Sequence, residues 1–225
     1  MTHTEKVHVI FGVAAAITGV LALHHAYYPR SRARFVWPVL TFSIGFFLFI
    51  PVEAQTRTYQ EVGWWDTLLS AVPDSPSYWL RNWFAKLDHW HVIQHKVGGI
   101  LIMAVGVVEA LRAHGRLSRR PWAMLLPALL VGIGLAFGVH GGSREHLPHR
   151  SEQVHHWLFG AGFVLAGLTL WLHHSGVLRG AAFRGTWAMC VLLVGLDIAL
   201  FYRLTPSELQ ARKEHHHERA GSRMR

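Results

Sequence analysis

Cysteine is nearly missing: Cys190 is the single one among 225 residues. No intramolecular disulfide can form, and this one thiol reads as a small apolar residue inside a hydrophobic segment. Charge is scarce too, at 16% against 51% hydrophobic residues, which excludes an ordinary soluble domain. Acids are missing altogether from three short arginine-bearing linkers. Nothing in the chain forms a nucleophile motif, a phosphate loop or a paired-carboxylate site, so nothing points to an enzyme.

What the chain has instead is apolar length. Six stretches, 7–28, 35–52, 92–112, 122–140, 156–175 and 186–203, each approach the roughly 20 residues that cross a hydrocarbon core of about 30 Å. The expected fold is all-α, a polytopic membrane protein with six transmembrane helices in residues 1–204 and a polar tail at 205–225. Lys6 ahead of the first apolar run imitates a signal peptide. That run is long enough to span, however, and it carries a repeated pattern, so it is read as the first helix.

The pattern is one histidine and two glycines. His8, Gly12 and Gly19 share their spacing with His95, Gly99 and Gly106, and with His156, Gly160 and Gly167. On a helix, offsets of four and eleven residues return to within about 40° and 20° of the start, so each triplet occupies one face. Gly19 leads to Gly45 and Gly106 to Gly132 after 26 residues, and Gly167 to Gly195 after 28. Eight residues beyond these glycines stand Glu53, His140 and Arg203. The coincidences predict three tandem two-helix repeats, 7–52, 92–140 and 156–203.

Orientation follows from the arginines. The linkers inside the three hairpins hold Arg30, Arg32, Arg34, Arg112, Arg116, Arg119, Arg120, Arg179 and Arg184. Those nine charges equal the formal net charge of +9. Short basic loops stay cytoplasmic, so both termini, the insertion 53–91 and the loop 141–155 face outward. The basic balance therefore reports membrane orientation, and nucleic acid is not an expected partner. Within the insertion, residues 77–90 place tryptophans and other apolar groups at helical spacing, as an amphipathic helix at the outer interface or a lid over the bundle. Thr205-Pro206-Ser207-Glu208 opens the tail with a capping box.

Thirteen of the eighteen histidines lie at or beyond the outer boundary and five at the inner one. If the repeats pack around an axis along the membrane normal, His8, His95 and His156 reach one depth and can converge. Neutral imidazole is the commonest transition-metal ligand. His91 stands four residues before His95, and His140 and His155 extend the set. Glu53 and Asp197 are the supporting acids: Glu53 as a ligand or as an acceptor fixing an imidazole tautomer, Asp197 in that role or paired with Arg203 or a histidine of another helix. Glu109, three residues before Arg112, reads as locally paired.

Two other readings compete. In a b-type haem cytochrome the ligands would come from His24, His95, His114, His156, His173 and His174, with glycine faces admitting the porphyrin. Yet the histidines of one helix stand 16 to 19 residues apart, roughly 24–28 Å, which puts them at opposite interfaces. In a cofactor-free assembly subunit, histidine would simply suit the interface and the glycines would let helices approach closely.

His91 to His95 opening the third segment, Pro127 through His140-Gly141 closing the fourth, and His155-His156 followed by Gly160 and Gly167 resemble the bacterial membrane proteins grouped around the CopD copper-resistance family. The resemblance implies a bacterial inner-membrane protein handling copper between periplasm and cytoplasm. It makes His91, His95, His140, His155 and His156 copper-site candidates. Expected partners are membrane lipid and a periplasmic metal donor or membrane partner subunit.

Overall fold

A computed structural model describes residues 3–49, 90–139 and 150–201, with only the backbone given for 3–7, 90–95, 120, 139, 150–153 and 181–182. The amphipathic stretch 77–89, Glu53, His140, the loop 141–149, Arg203 and the tail lie outside the described residues. Among the described residues all regular structure is helical. We number the helices α1 (His3–Tyr27), α2 (Ala33–Phe49), α3 (Trp90–Ala113), α4 (Arg120–Ala123), α5 (Leu125–Val139), α6 (Arg150–His174), α7 (Ala181–Arg184) and α8 (Thr186–Leu200).

Among the described residues three helical stretches are long and apolar enough to cross a membrane, namely His8–Tyr27, Pro121–Gly138 and Val154–His174. The second combines α4 and α5. Pro127 has no N–H to donate to Ala123, which accounts for the break at Met124 between them. The helices Ala33–Phe49 and Thr186–Leu200 are apolar and shorter.

The outward surface is greasy. On α1, Ile10, Val13, Ile17 and Val20 recur at helical spacing and all are exposed, while Gly12, Thr18, Gly19 and Ala22 on the other side are buried. An apolar stripe turned away from the core is what hydrocarbon surroundings favour, and water does not. Hydroxyls on these helices are satisfied internally. Thr18, Thr41 and Thr169 each donate at 2.8 Å to the carbonyl one turn back, Ala14, Trp37 and Leu165.

Each long helix packs on its neighbours in chain order, and α8 closes onto α1, so α1, α2, α3, α5, α6 and α8 form a ring. The middle of the ring is filled. Ala22, Trp37, Ile102, Val105, Leu126, Leu130, Ile133, Ala166, Leu170, Trp187 and Ala188 make one buried cluster with a contribution from every helix of the ring. Trp37 and Trp187 meet across it with ring centroids 5.5 Å apart. Tight turns join the hairpins at the arginine-bearing end. Gly115 (φ 75°) and Gly176 (φ 79°) end α3 and α6 in the left-handed conformation that glycine adopts without strain.

Candidate functional site

The histidine end is positioned by glycine. A Cβ placed on Gly12 would lie 2.9 Å from the Gly195 carbonyl oxygen, one on Gly99 2.9 Å from that of Gly45, and one on Gly160 2.7 Å from that of Gly134. Lower down, Gly19, Gly106 and Gly167 each meet the backbone nitrogen three residues before those glycines, on Leu192, Phe42 and Val131. The same offsets thus recur at α1–α8, α3–α2 and α6–α5. All three pairs are antiparallel and the hairpin turns are short, so α1, α3 and α6 run parallel and begin at one end. His8, His95 and His156 stand one helical turn ahead of the first glycine in each case.

One feature of the packing was not legible in the sequence, and one expectation changes. The close contacts join the second helix of one hairpin to the first helix of the next, and α8 back to α1, whereas the two helices of a hairpin touch less. The glycine of α5 in this register is Gly134, since a Cβ on Gly132 would meet nothing nearer than Leu101 Cδ1 at 3.8 Å. Gly134 lies 28 residues after Gly106, matching the interval from Gly167 to Gly195. Counted from that glycine His140 stands six residues on, whereas Glu53 stands eight beyond Gly45; both lie outside the described residues.

The described side chains gather on α6 and α8. Nδ1 of His155 lies 3.0 Å from Oδ2 of Asp197, so the acid of α8 meets a histidine of another helix. An Nδ1–H donated to that carboxylate puts the basic lone pair of the ring on Nε2. His156, next in sequence, points inward and is 4% exposed. Its ring stands 6.4 Å from Phe137 and 5.8 Å from Phe159, and His155 stacks on Phe159 at 6.1 Å. His8 is half-buried on α1. Of the remaining candidates, His91 and His95 lie on α3 with side chains outside the described residues, as do Glu53 and His140 entirely. Among the described residues no three histidine, cysteine or acidic side chains gather closely enough to hold a metal ion.

Lys96 was not singled out by sequence, yet it is 5% exposed. Its position on the stripe of Gly99 and Gly106, three and ten residues on, was the available signal.

The histidines at the arginine-bearing end are engaged otherwise. His114 is exposed, with Nδ1 2.8 Å from the Ala110 carbonyl oxygen, and its ring lies against Phe35. His173 Nδ1 lies 3.1 Å from the Leu178 carbonyl oxygen, with the His174 ring beside it. His24 is exposed, with its ring tilted against that of Tyr28 at 4.8 Å between centroids. Imidazoles suit these places because the last carbonyls of a helix need donors. The glycine faces proposed for a porphyrin are closed by neighbouring backbones.

No protein-family model, curated protein or solved structure matches the chain. The site must therefore be read from its own chemistry. A carboxylate-oriented imidazole beside a buried imidazole can coordinate a cation or relay a proton; it has neither a nucleophile nor an oxyanion donor set beside it among the described residues.

Proposed function

We propose that the protein binds a transition metal, with copper the first choice, through histidines at the end of the ring opposite the arginines, and that it handles metal there. The observation that carries this reading is the shared register of His8, His95 and His156 on three parallel helices, one turn above equivalent glycine contacts. His155, oriented by Asp197, joins them as a ligand, and His91 and His140 complete the candidate set. Imidazole nitrogens with one carboxylate behind them suit Cu(II), Zn(II), Ni(II) or Fe(II). The resemblance of residues 91–167 to CopD-type copper-resistance proteins leads to the same class.

On this reading the chain is a six-span bacterial inner-membrane protein of three tandem two-helix repeats. Both termini and the histidine site face the periplasm, and a periplasmic donor supplies the metal. Replacing His95 and His156 together by alanine lowers bound metal in the purified protein, measured by elemental analysis. Unchanged stoichiometry would remove the proposal. A visible spectrum of the same sample separates the haem alternative, which requires a Soret band that sharpens and shifts on reduction. A cofactor-free assembly subunit would show neither metal nor colour.

A further inference from the structure

We infer that the arginine-bearing end of the ring holds a phosphate-type oxyanion between α1, α2 and α3, on the opposite side of the bundle from the histidine site. Four buried polar atoms occur within thirteen residues there: His25 Nδ1, Ser31 Oγ, Arg34 Nε and Trp37 Nε1. None has a hydrogen-bond partner among the described residues. Trp37 is 2% exposed and belongs to the central cluster together with Ala22. His25 lies one turn beyond Ala22 on α1, Ser31 is in the turn, and Arg34 is one turn before Trp37 on α2. The hairpin therefore delivers all four to one end of the core.

Two of these atoms fix the chemistry of the partner. The tryptophan Nε1–H and the arginine Nε–H are donors only, so they call for acceptor oxygens. The serine hydroxyl can donate as well, and buried donors in folded proteins are met by protein, water or ligand. Charge favours an anion over water. Arg34 and Arg112 both lie close enough to His25 to act on it electrostatically. Among the described residues Glu109 is the acid near them, and it is held by Arg112 Nη1 at 2.6 Å. Arg34 has no acidic partner among the described residues; its guanidinium carbon lies 4.5 Å from the centre of the Phe35 ring. Paired N–H groups and positive charge make the donor set that binds phosphate oxygens. An arginine-rich end at the cytoplasmic interface also lies level with the phosphates of acidic lipids. A lipid headgroup and free phosphate present the same oxygens.

The test uses the full-length protein, delipidated in a neutral detergent, with thermal stability followed during titration by phosphatidylglycerol, by inorganic phosphate and by phosphatidylcholine. We expect stabilisation by one of the two anions and none by phosphatidylcholine beyond that of detergent. Arg34→Gln raises the half-saturating concentration by about tenfold, the usual weight of a charge-assisted hydrogen bond, and Ser31→Ala and Trp37→Phe raise it less. Ser31 lies in a turn outside the core, so its variant reports even where Trp37→Phe fails to fold. Arg116→Gln, an exposed arginine in the α3–α4 linker, leaves the concentration unchanged. Response to phosphatidylglycerol alone identifies a lipid headgroup, and response to inorganic phosphate identifies a free anion. The inference is overturned if neither anion stabilises, or if Arg34→Gln and Arg116→Gln weaken binding equally, which would mark general surface charge.

Discussion

At the scale of single residues, the contact between His155 and Asp197 is the one that changes what the histidine end can do. A histidine alone can ligate through either nitrogen, but Asp197 at 3.0 Å from Nδ1 commits the ring to one tautomer and holds its plane. Partners of this kind typically change metal affinity 10- to 100-fold. Asp197→Asn should therefore weaken Cu(II) or Zn(II) binding by about that factor without unfolding the protein, as read by competition with a chelating dye. Equal affinity in wild type and variant would show that Asp197 does not support a metal ligand. The arginine-bearing end offers a second test. Arg112→Ala leaves the Glu109 carboxyl, 7% exposed, without its guanidinium, which costs about 1–3 kcal/mol. Adding Glu109→Gln should recover part of that loss in thermal denaturation, and strictly additive losses would contradict the coupling. These two pairs differ in how visible they are in sequence. Glu109 and Arg112 stand three apart on one helix, where spacing alone brings them together. His155 and Asp197 are 42 residues apart, so their pairing follows only once α8 is known to lie against α6, and Arg203 was an equally good partner until then.

At the scale of helices, glycine sets how close the elements come. The triplets His-x3-Gly-x6-Gly were legible because they are periodic on one helix, but their partners were not. Both neighbours of any helix in the ring carry small residues, and periodicity gives a face without naming what covers it. The choice between Gly132 and Gly134 shows the same limit: the two flank Ile133, and only packing separates them. Gly134→Ala would force its Cβ to 2.6 Å from the Gly160 carbonyl oxygen, whereas Gly132→Ala would meet only the end of Leu101 at 3.8 Å. The first substitution should destabilise by about 1–3 kcal/mol. The second should be neutral or slightly stabilising, because alanine favours the helix. Denaturation midpoints in detergent check both, and a Gly132→Ala loss as large as that of Gly134→Ala would refute the register. The contacts between small residues also explain how the ring holds together in lipid, where apolar side chains gain nothing by leaving one hydrocarbon for another.

For the whole molecule, the ring and the charge distribution are two consequences of one arrangement. Because α1, α3 and α6 run parallel, the three hairpin turns fall at one end, and every arginine of those turns falls with them. The net charge of +9 is thus segregated rather than spread, with Glu109 the acid near that end among the described residues and already bound to Arg112. A bilayer with an anionic inner leaflet holds such an end on the cytoplasmic side. The orientation can be read directly in cells. In a Cys190→Ser background, single cysteines at Ser118 and Ser175, both exposed in the turns after α3 and α6, should react with a membrane-impermeant maleimide only after permeabilisation. A cysteine at Ser143, between α5 and α6 in the sequence, should react in intact cells. If Ser143→Cys were protected while Ser118→Cys and Ser175→Cys reacted from outside, the histidine end would face the cytoplasm. The metal would then be met as a cytosolic pool, and the phosphate-type site at the arginine end would face outward. If all three reacted alike, the chain would not cross the membrane as a ring of six spans.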